Sequence, residues 1–577
     1  LDRLTLLLQQ QALSLDGAIR APLVETLTEL PAAATRRGKM MAFDATTGDL
    51  GLTTFTYGQV ATAVAAAYSS GTAGLWINVI DYGAAGDGVA DDTDAIQEAI
   101  NAAGAAGGGT VFLPAGTYRV TAGLEFYFPR VFFRGAGMFN TKLTRSTDYG
   151  DTIIFGGGQA GTGIVLTDTG ISDLTIVSTG LMTSGAHIRY SGVTRHRLHG
   201  IYLNNGFIGI RAEALTAAYW SDIYLVFTNI FGGSPTGRRY LQFGAAASYS
   251  HKSCGDLFIT NFNVRGNTSN QLTEFGVNIE AADGIWFENG HVGNATEANI
   301  RIGGPTTDMI NLVFFSNVMT DEGTGYGLLL ESYASLAFRT IKFVNCLFKS
   351  GGTPAWGTGG IVVAAGCTVS GLSFDNCTVT EFGRTGVTLG STVSNMITFS
   401  NCTVRGNGRN IADTYAGYSI LANVSSVVIS GGSSGKAYDS GGTGTQSYGV
   451  QFSTGHSNIL VDGVDLTGNT LGSAIGGSNT VLILDSCMSQ DSTTVESGST
   501  VTPPTIGNVI TVTGTTSIDN VQVSRIGRII TLLFTDTVTV NDTGNLKLAG
   551  TFNAGVDDTL TLVYDGTNWL EISRSAN

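Results

Sequence analysis

Charge is scarce in this chain: Asp, Glu, Lys and Arg make up 13% of its 577 residues, against about 25% in an ordinary soluble domain. Proline is scarcer still, at 9 residues beside 80 glycines. Without a period of three, that pairing excludes a collagen-like chain, and the lack of proline excludes a Pro-rich extended one. The 6 cysteines are too few for a disulfide framework at this length. Cys346, Cys377 and Cys402 also lack the spacing of a metal-ligand set. No apolar run approaches the roughly 18 residues of a membrane span; Leu75 to Ile80 is the kind of stretch available. Lys and Arg number 30 against 45 Asp and Glu, a net charge of −15, which argues against a sequence-independent nucleic-acid binder. No nucleic-acid partner and no membrane insertion are therefore expected. The chain opens on Leu1 rather than Met, so it is expected to be a fragment or processed product with a further part upstream.

What the sequence has in quantity is glycine, small polar residues and a repeat. Ile285-Trp-Phe-Glu-Asn289, Leu312-Val-Phe-Phe-Ser316, Ile341-Lys-Phe-Val-Asn345, Leu372-Ser-Phe-Asp-Asn376 and Ile397-Thr-Phe-Ser-Asn401 start at intervals of 27, 29, 31 and 25 residues. Each alternates apolar and polar, the mark of a strand with one buried face. A second short strand follows in each: Gly276–Ile279, Gly327–Leu330, Gly360–Val363 and Gly386–Leu389. Several short strands per repeat, without helical or leucine-rich periodicity, predict a solenoid of stacked β coils. In a parallel β-helix Asn289, Asn345, Asn376 and Asn401 form one column at a turn. Cys346, Cys377 and Cys402 form the next, as reduced core residues.

The strongest local signal runs from Ile77 to Ile100, INVIDYGAAGDGVADDTDAIQEAI, and on through Gly107-Gly-Gly-Thr-Val-Phe-Leu-Pro-Ala-Gly-Thr-Tyr118. Asp92 or Thr93 can cap a helix whose apolar face is Ala95, Ile96, Ala99 and Ile100. The glycines fit neither a dinucleotide fingerprint nor a P-loop, and the acids fit no Ca²⁺ loop. This segment resembles the first coil of the pectate-lyase-like right-handed β-helix of phage tailspikes and related polysaccharide-degrading enzymes. The resemblance implies the fold, all-β with a right-handed parallel β-helix, and a polysaccharide ligand. It leaves hydrolase, lyase, epimerase and plain binder open. It also implies that Asp87, Asp91 and Asp92 are structural, that the protein is a homotrimer, and that it sits in a virion tail.

Three regions follow. Residues 1–75 carry Leu4, Leu8, Gln11 and Leu15 at helical spacing and a second helical run at 59–68, expected to form a neck joining a phage tail or baseplate. Residues 76–500 are the β-helix, with the binding and catalytic surface. Residues 501–577, with strands expected at 509–512, 521–523, 529–534, 546–548 and 560–564, form a small antiparallel module for trimerisation or carbohydrate binding.

In a β-helix, residues at equal offset in successive rungs stack about 4.8 Å apart, so columns replace linear motifs. Counted from Phe287, Phe314, Phe343, Phe374 and Phe399, positions six to eight carry Asp321, Glu322, Lys349, Glu381 and Arg405, with His291 at position four. Another column holds Glu280, Arg301 and Glu331. Asp321 and Glu322 open the turn that ends at Tyr326. Cleaving a glycosidic bond by hydrolysis needs two carboxylates; eliminative cleavage needs a base and a cation beside the substrate carboxylate. Asp321, Glu322, His291, Glu280 and Lys349 are the catalytic candidates. Arg301, Glu331, Glu381, Trp356 and Tyr326 are the substrate-binding ones. Trp220, Trp286 and Trp356 are aromatics that can stack on sugars, Trp356 in a long loop. His187, His196 and His199 are expected to be structural or trimer-facing. The mixture of acids with His291, Arg301 and Lys349 favours a lyase acting on O-antigen or capsule; endo-hydrolysis, or adhesion without cleavage, is the alternative. No cofactor and no obligatory metal are expected.

Overall fold

The computed structural model describes residues 40–43, 50–53, 76–146, 150–156, 166–180, 182–227, 238–244, 254–266, 273–304, 310–332, 337–350, 358–393, 396–411, 413–435, 446–476, 481–483, 487–488, 493–504, 506–524 and 526–577. The chain divides into two compact units, Leu1–Gly74 and Leu75–Asn577. In the first, Met40–Phe43 pairs antiparallel with Leu50–Thr53. The helices expected at 4–15 and 59–68 lie outside the described residues.

From Trp76 to Ile483 the described strands join one network of 33, every pairing within it parallel. Each turn of chain visits three sheets. In one turn residues 285–288 lie on sheet A, 290–293 on sheet B and 298–302 on sheet C. The next turn repeats the path at 313–316, 318–321 and 326–330. This is a parallel β-helix. It is opened by α1, Thr93–Ala105, which buries Ile96, Ala99 and Ile100 as its periodicity predicts. The cap is divided differently than expected. Asp92 occupies the N-cap position, yet its carboxylate accepts from the Ala85 amide at 2.6 Å, while Asp91 accepts from the Thr93 amide and hydroxyl. Asp87 accepts from the Val89 and Ala90 amides. All three acids hold loops.

The corner from sheet A to sheet B is made by one residue per turn in the left-handed region: Asn261, Asn289, Asn317, Asn345, Asn376 and Asn401, at φ 53–55°. Asparagine tolerates this conformation better than other side chains with a Cβ. Its amide then bonds along the stack, Asn317 Nδ2 to Asn289 Oδ1 at 3.1 Å and Asn376 Nδ2 to Asn345 Oδ1 at 2.7 Å. Beneath the corner, Phe287, Phe315, Phe343, Phe374 and Phe399 stack with centroids 4.5–5.0 Å apart and planes within 6°. The buried ring of the second repeat is thus Phe315, not Phe314, and Asn317 joins the asparagine column. Cys346, Cys377 and Cys402 are buried thiols facing the core.

Residues 494–577 enclose a second core around Val512, Phe534, Leu562 and Trp569. Of the strands expected here, Ile529–Phe534 and Thr559–Tyr564 pair antiparallel, and the latter also pairs antiparallel with Trp569–Ser575. Val509–Thr513, however, runs parallel to both Thr494–Glu496 and Ile529–Phe534. The module is therefore mixed: Val538–Val540 also pairs antiparallel with Phe552–Ala554, while Leu546–Lys547 runs parallel to Trp569–Ser575. Trp569 is fully buried, so its ring is core.

Candidate active site at the corner of sheets B and C

Outward positions on sheet B form two columns. One runs Asn263, His291, Met319, Leu347; the other runs Arg265, Gly293, Asp321 and then Lys349, Thr380, Arg405. Equal offset therefore brings Asp321 and Lys349 onto adjacent rungs, with His291 two residues before Gly293 on the rung below. His291 Nε2 donates to Asp321 Oδ1 at 2.6 Å. Both side chains keep a foothold in solvent, at 21% and 15% exposure. Gly293 makes room for the pair: a Cβ there would stand 2.7 Å from Asp321 Oδ1. His291 Nδ1 bonds nothing else among the described residues and is the nitrogen left for a ligand.

In four of these rungs the next residue turns the chain toward sheet C in the left-handed region. Asn294 (φ 63°) and Gly406 (φ 61°) suit it; Glu322 (φ 54°) and Glu381 (φ 65°) do not. A residue with an ordinary Cβ pays of order 1 kcal/mol there. Glu322 accepts from Asn294 Nδ2 at 3.3 Å. Glu381 lies 3.5 Å from Lys349 Nζ and 3.8 Å from Arg409. Five of the residues singled out from sequence, His291, Asp321, Glu322, Lys349 and Glu381, thus share one edge. Arg405 lies in the same column, while Arg409 was missed because it lies past the counted positions.

Glu280, Arg301 and Glu331 do not join them. They sit on sheet C, where Arg301 Nε donates to Glu331 at 2.6 Å and Nη1 to Asn278 at 3.2 Å and Glu280 at 3.4 Å. The guanidinium lies 4.7 Å from the Phe275 ring centre and is 6% exposed. Asn278 Nδ2 completes the set by donating to Gln242 and Glu280. Tyr326 begins the sheet C strand Tyr326–Ser332 and is half-buried. Trp356 lies outside the described residues.

Trp220 is 1% exposed, which corrects its reading as a sugar platform: its position in the alternation faces the core. Trp286 does face outward, but its ring is stacked between Phe258 (4.7 Å) and Phe314 (5.5 Å) on sheet A, which covers both its faces. His196 is buried between Thr169 Oγ1 and Tyr190 Oη, and burial lowers its pKa to about 3; burial lowers that of His187 to about 4. Both are core residues. Among the described residues no three His, Cys, Asp or Glu side chains converge as a metal site.

Comparison with known proteins agrees with this architecture. Residues 76–301 match the family "Rhamnogalacturonase A/epimerase, pectate lyase-like". Alginate lyase 7 of Azotobacter vinelandii is 49% identical over 105 residues, 17% of this chain and 12% of that protein. Mannuronan C5-epimerase AlgE5 of the same organism is 46% identical over 114 residues, 19% of this chain and 11% of that one. The chain therefore spans little more than a tenth of the length of these curated relatives. The solved tailspike protein 3 of bacteriophage CBA120 aligns at 14% identity with a TM-score of 0.42, over 78% of this chain and 74% of that one. Residues 76–301 are thus similar to a pectate-lyase-like family, and the described strands from Trp76 to Ile483 form a parallel β-helix.

Proposed function

We propose that this chain is the glycan-degrading body of a phage tailspike, a homotrimer in the virion tail that binds a bacterial surface polysaccharide and cuts it within the chain by β-elimination. The observation that carries the reading is the His291–Asp321 pair, held at 2.6 Å beside Lys349 on the adjacent rung. Asp321 accepts from Nε2 and so fixes the orientation of the imidazole. His291 Nδ1 takes the proton from the sugar carbon next to the carboxylate. The electron pair moves into that carboxylate, where the Lys349 ammonium offsets the developing charge. Collapse of the enolate breaks the bond to the neighbouring glycosidic oxygen, and that oxygen takes the proton back from His291. The matches to an alginate lyase and a mannuronan epimerase support a uronate-bearing substrate.

A specific observation favours endo-hydrolysis as the second reading. Glu322 and Glu381 occupy the same strained corner two rungs apart, roughly 10 Å at the backbone. That is close to the roughly 6.5–9.5 Å carboxyl spacing of inverting glycosidases.

Incubation with surface polysaccharides of candidate hosts, following chain length and ultraviolet absorbance together, decides between them. Shortening with new absorbance from an unsaturated uronate, abolished in His291→Ala, is the expected result. New reducing ends without absorbance would move the chemistry to Glu322 and Glu381. Binding without shortening would leave an adhesin.

A further inference from the structure

The rung beneath the His291–Asp321 pair presents two polar side chains, Asn263 and Arg265, that make no hydrogen bond or ion pair among the described residues. Asn263 pairs with His291 and Arg265 with Gly293 in the parallel ladder, so both face outward about 4.8 Å below the pair. Arg265 is exposed and has no hydrogen bond or ion pair among the described residues. Asn263 Oδ1 is buried and accepts no hydrogen bond among the described residues. A buried amide oxygen left without a donor costs about 1–3 kcal/mol; a ligand hydroxyl would remove that cost. Gly293 carries no side chain and the Asp321 carboxylate lies over it, so Arg265 is the next side chain below the pair in that column. On the opposite side of the pair the next cation is Lys349, one rung beyond Asp321. The two cations therefore stand about three rungs apart along the helix axis, with the base between them.

We propose that Asn263 and Arg265 form a subsite for an acidic sugar unit next to the one cleaved: Arg265 binds its carboxylate, Asn263 Oδ1 accepts from one of its hydroxyls, and the glycan lies along sheet B parallel to the helix axis. This rests on the His291 edge being the reactive site. It adds the class of the neighbouring unit, the direction of the chain, and two specificity residues that take no part in proton transfer.

Binding and turnover of a defined-length oligouronate and its carboxyl-reduced counterpart test it, in the full chain and in Arg265→Ala, Arg265→Lys and Asn263→Ala. Arg265→Ala should weaken the oligouronate about tenfold or more, the scale of one charge-assisted hydrogen bond. It should leave the carboxyl-reduced oligomer unchanged, raise KM and spare kcat at saturation. Arg265→Lys should recover part of the loss, and Asn263→Ala should weaken both oligomers alike. Equal weakening of both oligomers by Arg265→Ala, or none, overturns the subsite, as does a wild-type protein that does not bind the oligouronate. His291→Ala separates the two readings. Intact cleavage in that variant refutes the reactive edge, whatever Arg265 binds. Cleavage lost there, with both oligomers indifferent to Arg265, refutes only the subsite.

Discussion

Two charged groups on neighbouring sheets use the same kinds of residue and reach opposite states. On sheet C, Arg301 donates to Glu280, Glu331 and Asn278, lies over Phe275, and is nearly excluded from solvent. At the edge of sheet B, His291 has one partner and a vacant nitrogen, Lys349 is 39% exposed, and Arg265 has no partner among the described residues. A saturated network can hold a shape, whereas an unsaturated one can still bind something. Composition does not separate them; the count of satisfied donors does.

Substitutions should widen the contrast. His291→Ala is expected to lower turnover about 10²- to 10⁴-fold, the scale of one general base, and to shift the unfolding midpoint little, because the side chain is on the surface; steady-state rates and thermal melts together check it. Arg301→Ala is expected to do the reverse. It strands Glu280 and Glu331 without their shared cation, at a cost of about 3 kcal/mol, which denaturant unfolding measures.

Away from both groups, the buried histidines set an acid limit. His187 and His196 have folded pKa values near 4 and 3, below the unfolded value of about 6.5. The unfolded chain thus binds more protons between those values. Stability is full above pH 6.5 and falls as pH drops below it, by up to about 1.4 kcal/mol per pH unit for each histidine. Unfolding free energies at pH 7, 6 and 5 should show the slope, and His196→Gln should reduce it. The smallest effect concerns the corner: Glu322→Asn, the residue Asn294 places there one rung earlier, should stabilise the protein by about 0.5–1 kcal/mol while harming any reaction that uses the carboxylate. A Glu322→Asn protein no more stable than the parent would remove the case for strain.

Much of the fold was legible because it is written locally. The run from Ile77 to Tyr118 carries a helix cap, an apolar helix face and two strands within one coil, and the Phe-x-Asn repeats carry the rung. The one slip in register came at Phe314-Phe315, where two adjacent aromatics fit the pattern equally and burial alone chooses between them. That slip hid Asn317 but left Asp321 and Lys349 in one column, because both were counted over whole rungs. Sequence offset does not reveal that a coil has three sides, so Glu280, Arg301 and Glu331 were grouped with residues on another sheet. Asn263 and Arg265 lie in a rung that carries Ile259-Thr-Asn261 in place of Phe-x-Asn, so the repeat does not mark them, although Asn263 stands 28 residues before His291, the spacing that links Asn289 to Asn317.

The outward ladder on sheet A has an optical consequence. Trp286 is sandwiched between Phe258 and Phe314, with planes within 12° on either side, so three consecutive coils meet at one indole. Its emission is set by whether those coils stay in register. A coil that slipped by a single residue would turn a neighbouring ring inward and expose the indole to water. Trp286 is thus a built-in fluorophore for the alignment of the rungs that carry Arg265, His291 and Asp321.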